Sequence, residues 1–314
     1  MANYRIKMNS SINNLKVKSH LLMIIFSALI SGSFILGSIV ANEIDPSTIS
    51  AVRFLLAFII LFLVLKLSKK QVKFLFVKFW RYIVLGGLIA TYFVMMFEGL
   101  KTASSISMSA TMTLTPFLAV ILEYIVFRKV VERTILLALL MGASGSVWII
   151  FDADLSRIAS LKLGRGEALF LVGCLCQAIY TLLIPILNEG EEPLEQTSNT
   201  MLVSALILII INFQIVKDTE WNKISLTTWT TILYLAIFAT AIAFFILQFA
   251  RNVLPSTYIM AYYYVVPVWV LIFEVLIFRT RFEPTIWLGS IAIISTFVVI
   301  IFKDINLHPL KNAK

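Results

Sequence analysis

Residues 116–135 read PFLAVILEYIVFRKVVERTI, and residues 267–286 read PVWVLIFEVLIFRTRFEPTI. Aligned without a gap, 151 positions apart, they share Pro116/Pro267, Ile121/Ile272, Glu123/Glu274, Phe127/Phe278, Arg128/Arg279, Glu132/Glu283, Thr134/Thr285 and Ile135/Ile286. Chance supplies about one or two identities in so apolar a chain, so eight mark an internal duplication. A duplicated, strongly apolar chain carries the pattern of transporters built from two membrane-embedded repeats.

Composition sets the solvent. The chain has 314 residues, of which 60% are hydrophobic and only 14% charged; its mean hydropathy is +0.95. A soluble domain of this size needs far more charge to cover its surface. Runs of about 20 apolar residues recur along the length, each long enough to cross a bilayer as a helix. The net charge of +9 is modest, its cations fall mostly in short loops, and nucleic acid is not an expected partner. Cys174 and Cys176, two residues apart on a helix, point different ways, so neither a disulfide nor a metal pair is expected. The first apolar run is too long for a signal-peptide core and reads as a retained span.

Helices are expected at roughly 20–40, 47–66, 80–100, 103–127, 133–151, 166–187, 194–216, 228–250, 254–278 and 284–302. The chain then divides into a cytoplasmic segment (1–19), a first five-helix repeat (20–152), an external linker (153–165), a second repeat (166–303) and a cytoplasmic tail (304–314). Loop charge orients it. With the N terminus inside, the first half places 13 Lys and Arg inside and one, Lys101, outside. The second half reverses the bias, with four inside and seven outside (Arg157, Lys162, Arg165, Lys217, Lys223, Arg279 and Arg281). Five helices is an odd number, so a second copy inserts upside down and an ancestral charge pattern would show this reversal. The expected fold is therefore all-α: ten transmembrane helices as two inverted five-helix repeats, with both termini cytoplasmic.

These features together resemble the EamA-type transporters of the drug/metabolite transporter superfamily. Each half carries a mid-helix proline in its fourth span and a glutamate-containing turn, VERTI or FEPTI, into the fifth. AVRFLLAFIILFL at the second span and FEGLKTASSISMSATMTLTP around the third-to-fourth turn are similar to that family too. One departure is that Glu132 and Glu283 follow their prolines by sixteen residues, with FRK and FRTR inserted. The resemblance implies a central cavity surrounded by helices 1–4 and 6–9, helices 5 and 10 at the periphery, and alternating access by rocking of the repeats.

Charges inside a bilayer cost about 2.5–3.5 kcal/mol each on insertion scales, so each needs a reason. Of the 26 basic residues, Arg53 is the one clearly inside a span. Glu98, near the outer end of the third helix, could reach it, with Glu43 and Lys101 nearby; the pair reads either as an anion-binding or gating device or as a snorkelling Arg that orders a helix entrance. Glu123 and Glu274 sit seven residues after the prolines, two turns along one face. They read either as symmetry-related carboxylates that take up protons or close gates in turn, or as interfacial residues paired with a neighbouring cation. Pro116 and Pro267 free the carbonyls of Met112 and Tyr263, which lipid cannot satisfy, so these kinks are expected to face a cavity. Ser107 and Thr111 on the hydroxyl-rich fourth helix supply hydrogen-bonding groups. Tyr258, Tyr262, Tyr263 and Trp269 on the ninth, and Gln177 with Tyr180 on the sixth, offer either packing or a wall for an amphipathic or aromatic solute. Gln248 is a weaker candidate.

The expected function is secondary active transport of a small organic metabolite, an amino acid or similar amphipathic solute, by alternating access, with protons as a candidate coupling ion. A facilitator, exchanger or channel without proton coupling is the alternative. A polytopic membrane enzyme is disfavoured: His20 and His308 lie at the edges of the membrane domain, and no paired-Asp motif, phosphate loop or nucleophile elbow is present. No catalytic residue, metal or cofactor is expected. The expected partners are the solute and membrane lipid; one chain supplies both repeats, so a monomer is expected, in a bacterial inner membrane.

Overall fold

The computed structural model describes residues 2–68, 78–128, 130–151, 153–159, 163–251, 253–254 and 256–307. Among the described residues, ten helices are long and apolar enough to span a membrane: α1 (Leu15–Val40), α2 (Pro46–Leu67), α3 (Trp80–Leu100), α4 (Ser105–Phe127), α5 (Arg133–Ile150), α6 (Arg165–Leu187), α7 (Pro193–Ile211), α8 (Leu226–Arg251), α9 (Tyr258–Phe278) and α10 (Pro284–Phe302). Lys69, Lys70, Lys73, Lys129, Lys162, His308, Lys311 and Lys314 lie outside the described residues, as do the side chains of Arg5, Lys7, Arg157, Gln248 and Lys303.

The helix starts are written in the chain. Pro46 and Pro193 open α2 and α7, and Pro284 opens α10, at positions where a missing N–H costs nothing. The Asp45 carboxylate accepts from the backbone N–H of Ser47 at 2.8 Å. The duplicated stretch also ends its helices alike. Arg128 and Arg279 both take the left-handed conformation, each with φ of 55°, and pass their N–H to Tyr124 and Glu274 respectively.

Several boundaries differ from expectation, each for a local reason. The prolines of α4 and α9 do not kink continuous helices; each opens a second segment. Helix α4 is Ser105–Met112 followed by Thr115–Phe127. Helix α9 passes through a tight turn at Tyr262–Val265 before Val266–Phe278. Proline in a first turn breaks no bond, so restarting the helix is cheaper than bending it. Helix α7 stops at Ile211 instead of 216, and Phe213–Asp218 forms a separate short helix. The linker expected at 153–165 contains a short helix, Leu155–Ala159. Helix α1 runs back to Ala2 and α10 forward to Leu307. A widened π-type turn interrupts α8 at Ile237–Ile242.

The bundle pairs α2 with α7, α3 with α6 and α7, α1 with α8 and α9, and α5 with α10. Outward-facing Leu63, Leu137, Ile210, Leu276, Leu288 and Ile291 are exposed, an arrangement suited to lipid rather than water. Along the α5–α10 seam, a Cβ on Gly145 would lie 2.7 Å from the carbonyl oxygen of Gly289, and one on Gly289 would lie 2.8 Å from that of Gly145. This contact has a counterpart displaced by the 151-residue offset (145 + 151 = 296; 289 − 151 = 138): Thr296 donates to the Ala138 carbonyl at 2.9 Å.

Two ends of the bundle are distinguished by their loops. One, the first face, carries the α2–α3, α4–α5, α6–α7 and α8–α9 connections; the second face carries the other five. Contacts between ends respect this division, as when Arg81 at the start of α3 meets Glu191 between α6 and α7.

Candidate functional site

Arg53 lies on α2, two turns in from Pro46, and none of its surface reaches solvent. Its Nε donates to Thr240 Oγ1 at 2.6 Å and its Nη2 to the Ala239 carbonyl at 3.3 Å, both within the widened turn of α8. There Thr240 reaches back five residues to the Leu235 carbonyl. Widening the turn disturbs the regular backbone bonds of a helix, and Arg53 supplies donors at that place. The guanidinium plane lies over Phe93 of α3, 3.9 Å from the ring centroid. The third arm, Nη1, has no hydrogen-bond partner, and among the described residues no carboxylate pairs with Arg53.

Arg53 borders a small chamber in mid-bundle. Its walls are Phe26, Ile30 and Ser33 of α1, Phe93, Tyr92 and Met96 of α3, Met112 of α4, Gln177 of α6, Phe244 and Leu247 of α8, and Tyr263 of α9. Its volume is about 20 Å³, room for a single water. Ser33 Oγ and Gln177 Oε1 are also buried there without partners. The other end of the Gln177 amide donates to the Tyr263 hydroxyl at 3.4 Å. Three unmet polar groups thus meet at one closed chamber. Native interiors rarely leave such groups unpaired, and their convergence marks a place for a ligand.

The residues singled out from sequence divide. Arg53, Gln177 and Tyr263 line the chamber. The expected Arg53–Glu98 pair does not form: Glu98 pairs with Lys101 at 2.6 Å, one turn away, while Arg53 turns to α8. Ser107 donates to Glu167 at the start of α6, 2.7 Å, and Thr111 donates to the Ser107 carbonyl, so both face the helix seam. Tyr262 is hydrogen-bonded to His20 Nδ1 at 2.7 Å, and Trp269 donates to Ser27 at 3.1 Å; both tie α9 to α1. Tyr180 and Tyr258 are buried, and Arg251 lies within electrostatic reach of Tyr180 and Tyr263.

The two glutamates of the duplication part company. Glu274 is a helix stop: its carboxylate accepts from Thr280 at 3.0 Å, and its carbonyl accepts the Thr280 N–H. Glu123 lines a separate groove of about 240 Å³ between α4, α5, α6 and α9, bounded by Pro116, Leu139, Pro185 and Met260.

Sequence reading missed what holds the bundle ends together. At the first face Arg81 donates to Glu191 at 2.7 Å and to the Leu187 carbonyl at 2.6 Å, Tyr82 donates to Glu191 at 3.0 Å, and Lys78 pairs with Glu189. Burial acts to raise the Glu191 carboxyl, but bonds from Arg81, the Glu189 backbone and Tyr82 outweigh it and hold the group below its ordinary value. At the second face Glu43 accepts from Ser225 at 2.8 Å and from Thr228. Hydrogen bonds from Thr228 and then Ser225 lower the Glu43 carboxyl. The available signal was the matched turn NEIDP at 42–46 and NEGEEP at 188–193. Beside Glu43 a recess of about 720 Å³ opens, lined also by Asp45, Asp218, Glu220 and Lys223.

Ten apolar helices around a small buried chamber make this an integral membrane protein, and its family match makes it one of the transporter class. The chain belongs to the EamA-like transporter family, whose model matches it twice, at residues 17–151 and 164–302. It is 25% identical over 230 residues to the uncharacterized transporter YyaM of Bacillus subtilis (strain 168), covering 72% of this chain and 74% of that protein. It is 23% identical over 284 residues to the uncharacterized transporter YetK of the same organism, covering 88% and 84%. A solved structure described only as the crystal structure of a protein superposes with a TM-score of 0.72 at 14% identity, over 93% of this chain and 99% of that one, and supports the fold alone.

Proposed function

We infer that this transporter is a secondary carrier for a small amphipathic organic solute, working by alternating access through the central chamber in a bacterial inner membrane. The observation that carries the reading is the chamber itself. Helices of both halves build it, three buried polar groups are left unmet inside it, and Arg53, Ser33 and Gln177 are all shut off from solvent. Contacts on either side of it supply two gates, Arg81 with Glu191 at one face and Glu43 with Thr228 at the other. Two inverted repeats are supported by the exchanged contacts Gly145–Gly289 and Ala138–Thr296. Rocking one half against the other would release one gate while tightening its opposite. The chamber lining contains no carboxylate or imidazole, which favours a carrier over an enzyme.

Of the two glutamates, Glu123 is the candidate for proton coupling, because it lines the groove between α4, α5, α6 and α9. Both walls of the chamber come from one chain, which favours a monomer.

Counterflow into proteoliposomes of the purified chain, with pooled labelled metabolites and with or without an inward proton gradient, tests this. Saturable counterflow is expected; a gradient response lost in Glu123→Gln would add proton coupling. Flux that never saturates would indicate a channel. Folded protein that exchanges nothing from a broad pool would defeat the carrier reading.

A further inference from the structure

We propose that the transported solute carries a carboxylate, and that Arg53 Nη1 receives it while the aromatic walls take an apolar body. The proposal rests on the carrier reading and names the charge of its substrate.

The guanidinium is held by everything except an anion. Phe93 stacks on its face, Thr240 and the Ala239 carbonyl take Nε and Nη2, and Nη1 is left open at the chamber. A buried cation without a counter-ion is costly in a membrane interior, so a retained one marks a ligand or ion path. Ser33 lines the same chamber with an open hydroxyl, and a carboxylate has two oxygens to offer the two donors. Arg251, toward the first face and near Tyr263, adds further positive potential. The rings of Phe26, Phe93, Tyr92, Phe244 and Tyr263 give the rest of the lining a largely aromatic surface for the body of the solute.

The two halves differ at this place. Counting from Pro46 and Pro193, which open the second helix of each half, Arg53 falls opposite Thr200 (seven residues on in both). Counting from Trp80 and Trp229, Ala239–Thr240 falls opposite Ala90–Thr91. Thr91 makes an ordinary bond four residues back to Gly87, whereas Thr240 reaches five residues back inside the widened turn. In the matched half the two positions are threonines, each bonded to a carbonyl four residues back on its own regular helix. Arg53 and its widened turn are thus an addition on one side, beyond what joining the helices requires.

The test is equilibrium binding to the purified full chain in lipid nanodiscs, with three probes sharing one ring and chain: 3-phenylpropionate, 3-phenylpropan-1-ol and 3-phenylpropylamine. Inorganic phosphate and chloride serve as competitors. The acid is expected to bind at least about 10-fold more tightly than the alcohol or amine, in line with a charge-assisted hydrogen bond. Arg53→Gln should abolish that preference, and Arg53→Lys should keep part of it. Because Arg53 also braces α8, Ser33→Ala serves as a second variant, weakening the acid several-fold with the bundle intact. Equal binding of acid and alcohol, a preference for the amine, a preference that survives Arg53→Gln, displacement of the acid by phosphate or chloride at equal concentration, or no binding of the acid would each overturn the proposal. Counterflow of neutral or cationic solutes would then leave the carrier standing with its substrate charge reassigned, whereas loss of all counterflow would remove both.

Discussion

The guanidinium of Arg53 lies over the ring of Phe93, 3.9 Å from its centroid. Stacking of a desolvated cation on an aromatic face contributes about 2 kcal/mol, and here it also sets the plane in which the three arms of the fork point. Phe93→Leu should keep most of the packing and lose the stack. We expect a fall in unfolding free energy of about 1–2 kcal/mol in detergent, with Arg53→Lys similarly affected because an ammonium cannot serve Thr240, Ala239 and the chamber in one plane. Denaturation curves coinciding with wild type for both variants would show that the stack orients nothing.

Gly145 and Gly289 bring α5 and α10 into backbone contact, and no Cβ fits between them. Gly145→Leu should push the helices apart at a cost of about 1–3 kcal/mol. The thermal transition of the purified variant reports it. An unchanged midpoint would mean that the seam yields freely and is not part of the rigid scaffold.

The salt bridge of Arg81 with Glu191 crosses from one half to the other in a nearly buried setting, with side-chain exposures of 6% and 13%. Removing the carboxylate takes away the nearest counter-charge of Arg81 and leaves it the Leu187 carbonyl and the more distant Glu189, so Glu191→Ala should destabilise the protein by about 1–3 kcal/mol. If the pair is a gate, a cysteine placed at Leu187 should also label faster from the first face in the variant. Destabilisation without faster labelling would make the pair a structural clamp.

Acid should loosen the same face. The Glu191 carboxyl is lowered on folding, so its stabilising contribution is present above the ordinary value of 4.5 and is lost as pH falls through the lowered folded value. Wild type should therefore lose stability below about pH 4.5 by more than Glu191→Gln does. Parallel pH profiles of the two proteins would contradict this.

Counterflow with Glu123→Gln and Glu274→Gln separates the paired glutamates. Glu274→Gln still accepts from Thr280 through its amide oxygen and should exchange solute at near the wild-type rate. Glu123→Gln should be the variant that alters the response to a proton gradient. The reverse pattern would return the coupling role to α9.

Much of the fold was legible because it is periodic and repeated. Twenty-residue apolar runs can only be helices in lipid, since no other segment satisfies its own backbone there. Pro46, Pro193 and Pro284 announced helix starts, and the repeat from Pro116 to Ile135 exposed the duplication. Pro116 and Pro267 misled at α4 and α9, where a first-turn proline and an internal one look alike until the preceding residues show whether they continue the helix.

The site was legible only in part, because its residues meet across the bundle. Arg53 stood out as a charge in an apolar run, and Gln177 and Tyr263 as polar groups. Its partner was misread because Glu98 was expected near the same end of a neighbouring helix, while Thr240 is 187 positions away and presented by a widened turn that no residue spacing announces. Ser33 was not singled out from the sequence, because nothing local shows that its neighbours leave its hydroxyl unmet. Composition and periodicity determined that this chain enters a membrane as ten helices. Which polar groups share a partner, and which are left open to a solute, depends on distances between helices that local sequence does not encode, and only the packed bundle decided that.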